Sequence, residues 1–295
     1  MIDQILSATT PDGNVRAFAA STRTLTEELR RRHDASRVAS AALGRLACGA
    51  LLLATREKEQ ARVTVQVHGG GPLGELVADA DSAGNVRAYA QDPQVELPAR
   101  TTDGKLDVGR AVGQEGYLNV VMQVAEDPPY QGMVPLVSGE LGDDFTYYLA
   151  QSQQLTAAVG LGVLVGPEGV RRAGGFLVEV LPFTPPAQVQ ALQRRIEGLK
   201  SVTELLMQHD SPLFLLEQVL GVSPTHTVAH AVRFSCPCSK ERFGRGLIAL
   251  GPDELQALAD RGEEAELVCH FCGEKYYYSV EDLRALRQQA LGEGR

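Results

Sequence analysis

Cys236-Pro237-Cys238 and Cys269-His270-Phe271-Cys272 hold four of the five cysteines in a chain of 295 residues. A C-x-C and a C-x-x-C motif separated by a foldable insert give the spacing of a tetrahedral tetrathiolate zinc site. One Zn2+ per chain is therefore expected, held by Cys236, Cys238, Cys269 and Cys272. His230 and His270 are nearby potential donors, but four thiolates already complete a structural site, and neither histidine is expected as a ligand. At a Zn–S distance of about 2.3 Å, neighbouring sulfurs of a tetrahedron lie about 3.8 Å apart. A disulfide requires about 2.05 Å. Zinc-held sulfurs are thus near neighbours already in the thiolate form, which is the oxidisable one. On this chemistry two readings stay open. The zinc is a permanent structural ion, or an oxidant closes both pairs and expels it.

The rest of the composition sets the context. The chain is 44% hydrophobic and 22% charged, ordinary for a globular protein, with a formal net charge of −9. An acidic chain is a poor polyanion binder unless its cations cluster. Residues 234–295 carry eight Lys/Arg against eleven Asp/Glu, which weakens a zinc-ribbon nucleic-acid reading. No secretory signal is read at the N-terminus, and the longest apolar stretch, residues 46–54, is too short to span a bilayer. The expectation is a cytoplasmic protein with no membrane partner, where thiols stay reduced.

Three regions are expected to position the thiols: an α+β domain over residues 1–181, a helical linker over 182–233 and a zinc domain over 234–295. In the first, residues 15–18, 61–68, 75–79, 86–90, 118–124, 130–136, 160–165 and 176–181 read as strands, several alternating at period two. Residues 25–33, 36–55 and 143–152 read as helices. Cys48, in the Ala- and Leu-rich second helix, is expected to be a buried small hydrophobe. Residues 69–74 formally match G-x-G-x-x-G, but strand, turn and strand follow where a phosphate-binding helix is needed, so a glycine-rich sheet connection is expected. Pro182, Pro185 and Pro186 mark the boundary. Beyond them Val189, Leu192, Ile196, Leu199, Val202, Leu205 and Leu206 recur at helical spacing, predicting one amphipathic helix, and a short apolar helix follows Pro212. The face formed by Val189, Leu192, Ile196 and Leu199, with residues 213–216, is expected to be buried. In the third region residues 252–260 and 280–290 read as helices and Tyr276-Tyr277-Tyr278 as a strand.

The segment Phe234-Ser235-Cys236-Pro237-Cys238-Ser239-Lys240-Glu241-Arg242, with Leu250-Gly251, Glu254-Leu255 and Val268-Cys269-His270-Phe271-Cys272, resembles the C-terminal signature of the 33 kDa chaperonin family. These are redox-regulated heat-shock holdases of bacteria. Gly71-Pro72-Leu73-Gly74, Tyr130-Gln131-Gly132, Ser138-Gly139-Glu140 and Tyr147-Tyr148-Leu149-Ala150-Gln151-Ser152 extend the resemblance over nearly the whole chain. Gln153 departs from the family's usual Glu. The resemblance implies a chaperone that is not an enzyme and uses no ATP, inactive while reduced and zinc-bound. It implies disulfides Cys236–Cys238 and Cys269–Cys272 on oxidation, loss of zinc, unfolding of the zinc domain and linker, homodimerisation, and capture of unfolding client proteins. Two other functions compete. The zinc-ribbon nucleic-acid binder is opposed by charge. A dithiol oxidoreductase using Cys269 and Cys272 lacks a βαβ setting and leaves Cys236 and Cys238 idle.

Overall fold

The period-two alternation at residues 61–68 becomes a strand whose odd-numbered side chains are buried in the core of the protein. The computed structural model describes residues 2–57 and 60–293, and its contacts divide the chain into two units, Met1–Ser235 and Cys236–Arg295. In the first unit the elements run β1 (Gln4–Thr9), β2 (Val15–Ser21), α1 (Arg23–Arg32), α2 (Arg37–Arg56), β3 (Ala61–His68), β4 (Glu75–Asp81) and β5 (Asn85–Ala90). They continue with α3 (Val108–Val112), β6 (Tyr117–Val124), β7 (Tyr130–Pro135), α4 (Gly142–Gln151), β8 (Ala157–Gly166) and β9 (Gly169–Val180). Last come α5 (Pro186–Glu197), α6 (Val202–Gln208), α7 (Pro212–Leu220), β10 (Thr225–Ala231) and β11 (Arg233–Phe234). The architecture is α+β, as the interspersed strands and helices imply.

Two sheets enclose α2. The first has the order β10-β1-β2-β9-β8 and is antiparallel throughout; the second has the order β11-β5-β4-β3-β6-β7, antiparallel except for the short parallel pair β11–β5. Helix α2 packs against β8 and β9 of one sheet and β3, β4 and β5 of the other. By length and composition it is apolar enough to cross a membrane. Here every residue between Val38 and Thr55 except Arg45 is buried, which is the arrangement of a central core helix. Ser36 caps it, accepting a hydrogen bond from the Ala39 amide. The glycines at 69–71 serve the sheet connection. A Cβ at Gly69 or Gly71 would lie 2.3–2.4 Å from the carbonyl oxygens of Val112 and Ala111, so the backbone of α3 packs directly on this turn.

The first sheet is apolar on both faces, because β2 reads Val-Arg-Ala-Phe-Ala-Ala-Ser with no strict alternation. Phe18, Ala20 and Leu177 face the α2 core, whereas Ala17, Ala19, Phe176 and Val178 belong to a second cluster completed by α6 and α7. The linker helices therefore roof the outer face of this sheet. The single long helix expected over residues 189–206 is instead two, broken between Glu197 and Val202. Gly198 ends the first, and Ser201 with Glu204 forms a capping box that starts the second. Burial also differs from expectation. Val202, Leu205, Leu206, Leu215, Leu216 and Val219 are buried, but α5 contributes no buried residue, its Val189, Leu192 and Ile196 and the following Leu199 are only half-buried, and Leu213 is 40% exposed.

The second unit contains α8 (Lys240–Ala249), α9 (Pro252–Asp260), β12 (Ala265–Val268), β13 (Lys275–Tyr278) and α10 (Val280–Glu293). The two strands pair as an antiparallel hairpin. Its core is small: Leu247, Leu255, Ala259, Tyr278 and Leu283 are the buried residues of the cluster.

A four-cysteine centre as the candidate functional site

The hairpin builds half of the site. Cys269, His270, Phe271 and Cys272 occupy its turn, closed by the Cys269 amide donating to the Glu274 carbonyl at 2.9 Å and the Gly273 amide to the Cys269 carbonyl at 2.8 Å. Gly273 has φ +74°, a conformation that glycine adopts without strain. The other half comes from the stretch entering α8. Ser239 caps that helix through the Arg242 amide, which places Cys236 and Cys238 just ahead of it.

All four sulfurs lie within 4.8 Å of one another. Cys236 Sγ is 3.7 Å from Cys269 Sγ, and Cys238 Sγ is 3.3 Å from Cys272 Sγ, so sulfurs of the two motifs interleave. The first separation matches the roughly 3.8 Å edge of a zinc tetrathiolate and the second is somewhat shorter. Cys269 and Cys272 are buried and Cys236 and Cys238 half-buried. Burial pushes the Cys269 and Cys272 thiols above the ordinary range, disfavouring a cluster of bare thiolates. A divalent cation is the partner that makes four adjacent thiolates stable. The four sequence-predicted cysteines are thus brought together in a donor set that fits a metal ion. Among the described residues the metal-competent group consists of cysteines alone; His270 shares the turn without joining it, and His230 lies on β10 of the first unit.

Tyr276 is a site residue that the motif spacing did not single out. Its hydroxyl donates to Cys238 Sγ at 3.2 Å, and its ring lies 5.1 Å from that of Phe243 on α8. That hydrogen bond pushes the tyrosine's own proton affinity up. In β13 Tyr276 and Tyr278 share one face, turned inward. Tyr278 is buried and donates to the Lys240 carbonyl. Cys48 stands apart. It is fully buried in α2, and burial pushes its thiol up to about 12.

The turn holding Cys269 and Cys272 lies between two strands, not at a helix N-terminus where a dithiol oxidoreductase commonly gains its activated thiolate.

Comparison with known proteins accords with this arrangement. The family model described as Hsp33 protein matches residues 3–279. The 33 kDa chaperonin of Bacillus subtilis is 43% identical over 289 residues, 98% of this chain and 99% of that one. That of Listeria monocytogenes is 38% identical over 293 residues, covering 98% and 100%. The crystal structure of the 33 kDa chaperonin (heat shock protein 33 homolog) of Thermotoga maritima superposes with a TM-score of 0.91 at 34% identity, covering 99% of this chain and 100% of that one. With its relatives named as chaperones and its four thiols gathered in the C-terminal unit, the chain belongs to the Hsp33 family.

Proposed function

We propose that this protein is a redox-regulated holdase chaperone of the cytoplasm, a binding protein that needs no ATP and catalyses no reaction. The observation that carries the reading is the roof over the first sheet. Helices α6 and α7 cover an apolar surface formed by Ala8, Val15, Ala17, Ala19, Phe176 and Val178, all buried in this state. They lie on the linker that leads into the four-cysteine unit.

In the reduced state Cys236, Cys238, Cys269 and Cys272 hold one zinc ion. Bound zinc would keep all four sulfurs as thiolates and cross-link the hairpin to the stretch before α8. The unit depends on this link, since a domain of about sixty residues with five buried core residues is marginal. Zinc binding contributes about 10–16 kcal/mol in small metal domains, comparable with the whole stability of an ordinary one, about 5–15 kcal/mol.

Oxidation is a two-electron step at each pair. Two thiolates form an S–S bond, and hydrogen peroxide takes the two electrons and, with two protons, leaves as two waters. Pairing follows the chain, Cys236 with Cys238 and Cys269 with Cys272. Oxidation of the first sulfur weakens the hold on the ion and the hairpin opens; cysteines two and three residues apart then stay close, while those thirty or more apart separate. Once both bonds are formed no thiolates remain to rebind the ion, the unit stays unfolded and the linker loses its support. The sheet face it leaves binds unfolding clients and a second copy of the chain. Nucleic acid and membrane are not partners in this reading.

The test is aggregation of a thermally unfolding client followed by light scattering, with the protein either reduced and zinc-loaded or peroxide-treated. Suppression by the oxidised protein alone is the expected result. Equal suppression by both, or by neither, would exclude a redox-gated holdase.

A further inference from the structure

A groove of about 640 Å3 in the first unit is lined by Arg37 and Arg45 of α2, Arg100 and Lys105 of the loop before α3, and Lys200 of the turn between α5 and α6. Glu204 is the one acidic residue among its lining side chains. Five cations around one groove run against the −9 charge of the chain. Two of them are fixed in place. Arg45 and Arg100 share Glu140, at 2.5 and 2.9 Å, and Arg100 also pairs with Asp103 at 2.9 Å. The Arg45 side chain is only 16% exposed, and its Nε is buried without a hydrogen-bond partner among the described residues. Arg37, Lys105 and Lys200 are exposed and make no ion pair among the described residues.

We propose that this groove binds a short inorganic oligophosphate and that the bound anion ties the linker to the core. Three features specify the ligand. Several cations spread along one groove, two of them fixed and three exposed, suit several linked phosphates better than one. Among the described residues no aromatic ring lines the groove, which gives a nucleobase no stacking platform there. The volume accommodates a chain of a few phosphates. The regulatory consequence follows from where the cations sit. Arg37, Arg45, Arg100 and Lys105 belong to the core, whereas Lys200 belongs to the linker. An anion touching both binds the docked linker more tightly than the released one, and by linkage it favours docking. This clamp rests on the gating linker of the proposed function; the anion site itself does not.

The experiment uses reduced, full-length protein and sodium tripolyphosphate. Calorimetric titration at low salt is expected to show about one site per chain, weakening as salt rises. Orthophosphate is expected to bind at least tenfold more weakly, and ATP no more tightly than tripolyphosphate. The variant R37E/K105E changes two exposed core residues and keeps every tryptic site in the linker. It is expected to lose at least tenfold in affinity with an unchanged circular dichroism spectrum. Tripolyphosphate is expected to slow tryptic cleavage at Arg194, Arg195 and Lys200 at least threefold in the wild type and not in the variant. Absence of binding at low salt, or undiminished affinity in R37E/K105E, overturns the site. ATP binding tenfold more tightly overturns the base-free ligand. Binding with unchanged cleavage overturns the clamp. Client aggregation measured without phosphate decides the holdase reading separately, so failure of one is distinguishable from failure of the other.

Discussion

Five cysteines divide by environment into one sealed in a core helix and four gathered in the C-terminal unit. Cys48 is sealed in α2, with its thiol pushed up to about 12, so at neutral pH it offers almost no thiolate to an oxidant. Peptide mapping after peroxide treatment is expected to find Cys236 joined to Cys238, Cys269 joined to Cys272, and Cys48 unmodified. Bonds running mainly between the motifs would refute the pairing argued from chain proximity. Tyr276 supplies a second test at this scale. Groups that hydrogen-bond metal ligands commonly influence metal affinity by about 10–100-fold. Removing the Tyr276 hydroxyl while keeping its ring on Phe243 isolates the bond to Cys238. Tyr276→Phe is expected to bind zinc about tenfold more weakly in competition with a chromogenic chelator. Unaltered affinity would make that contact incidental. The four ligands were legible because thiols carry their chemistry in spacing. Tyr276 was not, since three consecutive tyrosines on a strand read equally as packing and only the fold assigns their faces.

The linker helices are held unequally. Helices α6 and α7 insert Leu205, Leu206, Leu215, Leu216 and Val219 into the outer cluster, whereas α5 lies over the sheet with no buried side chain and a groove of about 800 Å3 at its side. What holds α5 is partly polar. Gln188 donates to Asp12 at 2.6 Å and accepts from Asn14 at 2.8 Å, and Thr184 donates to the Asn14 carbonyl at 3.0 Å. Further along, Arg172 donates to the Leu206 carbonyl at 3.1 Å. Such contacts cost little to break in water, so α5 is the natural place for release to begin and α6 the place that resists it. Leu206→Asp puts a carboxylate at a fully buried position, a penalty of several kcal/mol. The variant is expected to suppress client aggregation while reduced and zinc-loaded, with its core melting transition retained. A folded variant as silent as the reduced wild type would mean that α6 is not part of the gate. The helical periodicity of this region was legible in the sequence, but its break at Gly198 was read through, although Ser201 and Glu204 have capping-box spacing. The hydrogen bonds to Asp12 and Asn14 span more than 170 residues, and nothing local in the sequence announces them.

At the scale of the whole chain, the two units differ in what keeps them folded. The first has a continuous core around α2 bounded by two sheets. The second has a five-residue cluster and, in the proposed reading, a metal. Strand β11 belongs to the first: the Arg233 and Ser235 amides donate to the Gly84 and Val86 carbonyls at 2.9 and 3.0 Å, and Val232 is buried. A chain ending after Ser235 therefore keeps every strand of both large sheets and should fold without the cysteine unit. Strand β10 is held less firmly, because it is paired to β1 along its backbone while all its residues after Thr225 are exposed. If the zinc unit is the lock on the linker, deleting it leaves α5, α6 and α7 with only their own contacts. The truncated chain is then expected to hold a thermally unfolding client under reducing conditions, with no oxidant, and its linker should be cut by trypsin faster than in the reduced full-length protein. Chelating zinc from the full-length protein under reducing conditions should move it in the same direction, since the thiols remain but the link between the motifs is gone. A truncated chain that is folded by circular dichroism, resists trypsin as the reduced full-length protein does and leaves aggregation unchanged would show that the linker stays docked without the second unit. The lock would then have to be sought within the first unit itself.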